Sequence, residues 1–263
     1  MYPLIELGPL RLSSGGLLLL AAAYLWTWRV ARVARRQGGA ALAAHAEACT
    51  LPALVGALLG GGLWFGLFSL DRYGPSPGLF VALRLADLAW PGALLGGTLV
   101  GWGWCRRRGA DPRAMADAAA LGLPLALAVA SVGLLLSGDA FGVPTDLPWG
   151  VPLFGTQRHP TQIYSALAAL LVGAALSAAQ HVATSERPLA PGGLAARFLV
   201  LHGLSLLLIE ALRADSLTIA AGLRVTQIAG LTLIITGLFW LRAMAAPGAP
   251  RTRLVERCDG QGD

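Results

Sequence analysis

The sequence has no lysine; all 20 positively charged residues are arginine. Charge of either sign is scarce, at 13% of residues, where soluble domains carry about a quarter. That scarcity sets aside an ordinary water-soluble globule, and the apolar content sets aside a disordered chain. It also argues against nucleic acid as a partner. The net charge is +6 and the pI about 10.0, but a nucleic-acid footprint needs a basic patch on wetted surface, and this chain has little of it. Cysteine is confined to Cys49, Cys105 and Cys258. Their spacing fits neither a CxxC pair nor a zinc pattern, which argues against a disulfide framework and a metal centre. No small-residue cleavage motif follows the first apolar run. "AAAYLW" continues into "RVARVARR", so that run reads as a retained span and not a removable signal. No internal repeat is visible. The arginine-only usage beside abundant alanine, glycine and leucine reads as compositional bias.

What is present is apolar: 56% of residues are hydrophobic and the mean hydropathy is +0.64. A membrane crossing needs about 20 apolar residues. Seven stretches qualify, near 14–33, 51–70, 85–104, 115–136, 161–180, 194–213 and 219–240. Arginines cluster after the first (Arg29, Arg32, Arg35, Arg36), after the third (Arg106, Arg107, Arg108, Arg113) and after the seventh (Arg242, Arg251, Arg253, Arg257). Positive loops stay on the cytoplasmic side, which places the N-terminus outside and the C-terminus in the cytoplasm. The expectation is an all-α integral membrane protein, a bundle of about seven transmembrane helices. Residues 1–243 would form one membrane-embedded domain, and 244–263 a polar, disordered cytoplasmic tail.

Two segments break the apolar pattern. Residues 1–13 form a short apolar, proline-containing arm suited to lying along the membrane surface. Residues 137–160, "SGDAFGVPTDLPWGVPLFGTQRHP", form an ordered outer loop between spans four and five, rich in turn residues and with interfacial aromatics. Ionisable groups at membrane depth are costly and are usually paired or functional. Arg84 with Asp87, and Arg113 with Asp117, stand at spacings that suit local ion pairs. His202 reads as a buried imidazole of span six. Glu210 and Arg213 face one another three residues apart, close to Asp215. Arg158 and His159 precede Pro160, which suits the first turn of span five. Thr161, Gln162 and Tyr164 follow. A helix start with an arginine and a histidine fits a phosphate headgroup, and it equally fits a simple helix cap.

The runs Gly142–Val151, "GVPTDLPWGV", and Arg158–Tyr164, "RHPTQIY", resemble the signature region of the prolipoprotein diacylglyceryl transferase family, G-[RE]-x-T-D-x-P-W-x-V and R-H-P-[ST]-Q-[LI]-Y-E. "LHGLSLLLIEALRAD", residues 201–215, is similar to the family segment Y-G-x-x-R-F-x-x-E-x-x-R-x-D. "PLIELGPLRLSSGGLLL" near the N-terminus and "LRVTQIAGL" in span seven resemble strings at corresponding places. The resemblance implies a seven-span bacterial inner-membrane enzyme. Such an enzyme moves the diacylglyceryl group of phosphatidylglycerol to the lipobox cysteine thiol of a prolipoprotein signal peptide. It needs no metal or organic cofactor. Carried over residue by residue, His159, Glu210 and Asp139 become the catalytic candidates. Arg158, Gln162, Tyr164 and Arg213 become the substrate-binding ones.

The sequence departs from the family pattern at several of its positions. The histidine of H-G-G falls on Pro91. In G-R-x-G-N-F-x-N-G-E the arginine falls on Ser131, the asparagines on Leu134 and Ser137, and the glutamate on Asp139. The arginine of R-F falls on Leu206. Arg84, Arg197, Arg224 and His202 are available substitutes, though no spacing places them in the site. Four functions therefore stand: the transferase; a family-fold protein that binds lipid or lipoprotein without the chemistry; transfer to a different acceptor; and solute transport. Transport would call for an inverted repeat and midplane polar groups.

Overall fold

Leucine and alanine have high helix propensity and no side-chain polar group to compete with the backbone. Their dominance produces long helices. The computed structural model describes residues 4–7, 10–68, 90–183, 189–216, 218 and 224–245. The helices are α1 Ser14–Phe68, α2 Trp90–Arg107, α3 Pro112–Ser137, α4 Thr161–Val182, α5 Gly193–Glu210 and α6 Val225–Ala245. Five of them, all but α2, contain windows long and apolar enough to cross a membrane. The chain is a predominantly helical, multi-pass membrane protein.

α1 is 55 residues long, about 80 Å at 1.5 Å per residue, far more than one crossing needs. It is broken at Gly38 and Gly39, whose φ/ψ values of −136/17 and 71/−162 are not helical. The positive φ of Gly39 is one that a residue with a Cβ rarely adopts. The arm before the bend lies along α3, with Gly15 against Ser137 and Val30 against Gly122. The arm after it lies along α2, with Gly60 against Gly92 and Cys49 against Cys105. Both pairings are antiparallel. The α1 bend and the α2–α3 turn therefore lie at one end of the bundle, where Val30, Ala34, Ala46, Cys49, Cys105, Ala110, Met115 and Ala118 share a core. The apolar-run reading began the second span near residue 51. The helix instead takes in the alanine-rich stretch 40–50, which His45 and Glu47 hid from a hydropathy search.

Helices meet through small residues, as membrane helices do when little but close packing drives association. A Cβ on Gly60 would strike the carbonyl of Gly92, and one on Gly230 would lie 2.8 Å from the carbonyl of Gly203. α4 and α5 pack on α3 through Leu121, Val172, Leu176, Leu194 and Phe198. At the arginine-rich end, Arg32, Arg106 and Arg108 lie over the rings of Trp28, Trp102 and Trp104 at 4.7–5.4 Å.

Two sequence expectations gain detail and one needs correction. The N-terminal arm is a two-stranded antiparallel hairpin, β1 Leu4–Leu7 with β2 Leu10–Ser13. The loop after α3 holds a second hairpin, β3 Val151–Leu153 with β4 Thr156–Arg158. Both hairpins are short, and the molecule stays mostly helical, in keeping with an all-α membrane protein. The turn between β3 and β4 has positive φ at both Phe154 (53°) and Gly155 (77°), as a two-residue hairpin loop requires. Asp117 does not serve Arg113. Its two carboxylate oxygens accept the backbone N–H groups of Gly192 (2.7 Å) and Ala195 (2.8 Å). It caps the start of α5 from another helix, where the donors are unsatisfied and the dipole favours an anion. Arg84, Asp87 and the tail after residue 245 lie outside the described residues.

Candidate active site

The site forms at the other end of the bundle, where α3 stops and α4 and α5 begin and end. α3 closes on Gly138, left-handed at φ 78°. The N–H of Asp139 returns to the carbonyl of Leu134 and that of Gly138 to Leu135, which satisfies the last carbonyls of the helix. The chain then runs extended between two neighbours. On one side the N–H of Val143 donates to Leu212 and the N–H of Ala214 donates to Phe141, both at 2.9 Å, and Gly142 bridges to Arg213. On the other side the N–H of His159 donates to Val143 and the N–H of Thr145 donates to Gln157. Three backbone segments thus lie side by side. With strands about 4.8 Å apart, the backbone of His159 stands roughly 10 Å from that of Arg213.

Gly142 sits at the centre of this arrangement. A Cβ there would run into the carbonyl of His159 and lie 2.6 Å from the His159 Cβ, so only glycine permits the approach.

Arg158 belongs to β4 and braces the loop. Its Nη1 donates to the carbonyl of Gly142 (3.2 Å) and its Nε to that of Leu153 (3.3 Å), and the guanidinium lies 5.2 Å from the centre of the Phe141 ring. The side chain of His159 meets Tyr164: Nδ1 lies 3.3 Å from the Tyr164 hydroxyl, which also accepts the Trp149 indole N–H at 2.8 Å.

The start of α4 is a docking point for the loop. Thr161 and Gln162 are each 1% exposed. Thr161 donates its hydroxyl to the carbonyl of Ala140, and Gln162 donates its amide to that of Asp139 at 2.6 Å. The first-turn N–H groups of Thr161, Ile163 and Tyr164 are taken by the carbonyls of His159 and Pro160. Asp139 is on the surface; what the loop uses is its backbone.

At the far end of α5, Glu210 is 2% exposed. Its Oε2 lies 3.6 Å from Arg213 Nη1, and Arg213 in turn holds Asp215 at 2.9 Å. The expected Glu210–Arg213–Asp215 grouping is thus present. Arg224, just before α6, donates to the backbone carbonyls of Glu210 and, at 3.0 Å, Arg213. Among the described residues, Glu210 Oε1 is buried with no hydrogen-bond partner, and so is Gln162 Oε1.

Glu210 faces a cleft of about 50 Å³ between α4 and α5. Ser165 and Ala169 supply one wall. His202, Ser205, Leu206, Ile209, Glu210 and Arg213 supply the other, at the three- and four-residue spacing of a single helix face. His202 stacks on Phe198 at 5.1 Å.

The comparisons with known proteins decide what this arrangement belongs to. A model of the family described as prolipoprotein diacylglyceryl transferase matches residues 3–243. The chain belongs to that family. Among its relatives is the phosphatidylglycerol–prolipoprotein diacylglyceryl transferase of Gloeobacter violaceus, 35% identical over 73% of this chain and 76% of that protein. The protein of the same name from Rhodospirillum centenum is 33% identical over 94% of this chain and 92% of its own length. That from Synechococcus elongatus is 31% identical over 90% and 86%.

Within the family frame, the structure sorts the substituted and substitute positions. Leu206, where the family pattern has an arginine, lies in the cleft wall beside Glu210. Ser131 is buried within α3 and donates to the carbonyl of Leu127. Of the available substitutes, Arg224 and His202 are at the site. Arg197 is not: it sits in the first turns of α5, donating to Gly193. Sequence reasoning left Ser165 and Ser205 unmentioned. Their only signal was helical spacing, Ser165 three residues after Gln162 and Ser205 three after His202. Among the described residues, no group of three or more histidines, cysteines or acids is placed to hold a metal.

Proposed function

We infer that this chain transfers the diacylglyceryl group of phosphatidylglycerol to the thiol of a lipobox cysteine in a prolipoprotein signal peptide. The observation that carries the reading is the buried Glu210, ion-paired to Arg213 and joined through the Gly142–Arg213 bridge to the loop bearing Arg158 and His159, in a chain matched over residues 3–243 by the family.

The chemistry is a displacement at carbon. The thiol gives up its proton, the sulfur forms a thioether bond to the terminal glyceryl carbon of the diacylglycerol, and the carbon–oxygen bond to phosphate breaks. Glycerol phosphate leaves with the electron pair. Thiolate is the nucleophile, so a base of near-neutral pKa serves best, and His159 is the natural acceptor. In the tautomer that donates Nδ1–H to the Tyr164 hydroxyl, Nε2 presents the lone pair that takes the proton. The departing phosphate gains negative charge, which Arg213 stabilises while Arg224 holds the chain ends that carry it. Glu210 fixes Arg213. Arg158 braces the loop internally, Gln162 and Tyr164 keep it on α4, and the Asp139 carbonyl anchors Gln162.

The seven helical stretches, counting α1 as two arms, cross the bacterial inner membrane with the N-terminus outside and the arginine-rich end in the cytoplasm. Residues 1–243 act as one membrane-embedded domain and 244–263 as a cytoplasmic tail.

The test is transfer by the purified protein from phosphatidylglycerol to a synthetic lipobox peptide, with the thioether product weighed by mass spectrometry. Replacing His159 by alanine is expected to lower kcat by about 10²–10⁴, the range for removing a general base. An unchanged kcat in the folded variant would remove His159 from the mechanism. No thioether product from the wild-type chain would overturn the reading itself.

A further inference from the structure

We propose that Cys49 and Cys105 form a redox site, which a peroxide closes into a reversible disulfide that fastens α1, after its bend, to α2. The inference does not rest on the transferase reading, whose chemistry uses neither thiol.

Both cysteines are free thiols within the α1–α2 contact, Cys49 8% and Cys105 4% exposed. The Cys105 thiol donates to the Cys49 sulfur at 3.7 Å, and the Cys49 thiol donates in turn to the carbonyl of Gly101 at 3.6 Å. A disulfide has its sulfurs about 2.05 Å apart and needs backbones that already lie close. Here they do. A Cβ on Gly101 would stand 3.5 Å from that of Ala53, and Gly60 and Gly92 meet further along the same contact. The pair is also held in register. Gly109, at φ 70°, closes the turn after α2, and the N–H of Ala110 returns to the carbonyl of Cys105 at 3.0 Å, the capping bond of a left-handed helix stop. One turn from Cys49, His45 Nε2 lies 3.1 Å from the carbonyl of Arg108. The two helices are therefore tied together on either side of one helical turn.

The surroundings single out Cys49 as the attacking sulfur. It accepts the Cys105 S–H, and His45 stands four residues before it on the same helix face. His45 Nδ1 lies 2.7 Å from the carbonyl of Ala41, so both ring nitrogens face acceptors. A histidine donates to both only as the imidazolium, and a cation beside a thiol favours the reactive thiolate. Cys105 is in the last turn of α2, where helices fray, and hydrogen peroxide is uncharged and little larger than water. The Cys49 sulfur attacks one peroxide oxygen, the O–O bond breaks, water leaves with the thiol proton, and a sulfenic acid remains. The Cys105 sulfur then attacks the Cys49 sulfur. The S–O bond breaks, the S–S bond forms, and a second water carries off the Cys105 proton. Two thiols are oxidised by two electrons, and one peroxide is reduced to two waters. With the arginine-rich end in the cytoplasm, the thiol pool there keeps the pair reduced at rest and restores it by exchange. Cys49 and Cys105 are 56 positions apart, so the bond restricts the unfolded chain and stabilises the α1–α2 pair.

The experiment uses the full chain in nanodiscs, with Cys258→Ser so that the pair holds the only thiols. The protein is treated with hydrogen peroxide, quenched, and read by intact mass and by peptide mapping without reductant. We expect a loss of two hydrogens, a Cys49–Cys105 link within one chain, and a thermal midpoint raised by several degrees, all reversed by dithiothreitol. In Cys105→Ser, Cys49 stops at the sulfenic acid and is trapped by dimedone. In Cys49→Ser, Cys105 stays a thiol at the same dose. Two thiols still open to maleimide when the peroxide-treated protein is unfolded overturn the proposal. So does a disulfide that joins two chains, or one that forms only above the thermal midpoint. Dimedone trapping of Cys105 in Cys49→Ser as fast as that of Cys49 in Cys105→Ser overturns the assignment of the attacking sulfur. A chain that gives no disulfide with peroxide, yet retains silver(I) in the wild-type pair and not in either serine variant, overturns the redox site in favour of a soft-metal site.

Discussion

Glu210 and Arg213 are paired across one turn at the end of α5, the carboxylate at 2% exposure and the guanidinium at 26%. The pair is asymmetric: the acid is sealed and depends on the arginine, while the arginine also reaches Asp215. Breaking a fully buried pair costs about 3–5 kcal/mol because it strands a charge. With Arg213 partly in water, Arg213→Gln should cost about 1–3 kcal/mol, read as a fall in thermal midpoint. Adding Glu210→Gln should return most of that stability and none of the transfer. A double variant as unstable as the single would mean that the pair is not what holds this corner.

Gly142 lies where the loop passes between His159 and Arg213. Gly142→Val is expected to push His159 away from the bridge. The protein should still insert, with its core helices intact by circular dichroism, and transfer should fall by about 10²-fold, the scale for misplacing reacting groups by an ångström. Transfer at the wild-type rate would show that the loop register is irrelevant to the chemistry.

Asp117 gives the opposite pattern. It caps α5 at the arginine-rich end through Gly192 and Ala195, far along that helix from Glu210. Asp117→Ala removes a cap worth about 0.5–2 kcal/mol and leaves two N–H groups unsatisfied. A lower thermal midpoint with unchanged kcat per folded molecule is expected. A large loss of kcat at full stability would give Asp117 a role that its position does not.

The Gly60–Gly92 contact tests the packing. Leucine at position 60 would collide with the α2 backbone, and overpacking of this kind costs about 1–3 kcal/mol. Protease accessibility of the α1–α2 pair should rise in Gly60→Leu and not in Leu59→Ala, whose side chain is 61% exposed.

How much of this was legible depended on the range of the interactions. Apolar runs announce helices locally, so the helical stretches were visible. Their ends shifted where composition was ambiguous, as in residues 40–50. The Glu210–Arg213 pair was readable because its partners are one turn apart. The partner of Asp117 is 75 residues away in sequence, and the nearer Arg113 was the natural but mistaken choice. The β3–β4 hairpin turns on Phe154–Gly155 without the Asn-Gly signal that marks such loops. The cleft was hidden differently: Ser165, His202, Ser205, Leu206 and Ile209 each read as core taken alone. Only the packing of α4 against α5 leaves Ser165, Ser205 and Glu210 facing one space.

The most direct measurement of the central claim is complementation. The chain is expressed in a bacterium depleted of its own diacylglyceryl transferase, and prolipoprotein lipidation is followed by gel shift. The account predicts rescue by the wild type, lost in Glu210→Ala and in Arg213→Ala when both variants reach the membrane at wild-type levels. A wild-type chain that is well expressed and membrane-inserted yet leaves prolipoprotein unmodified would contradict it.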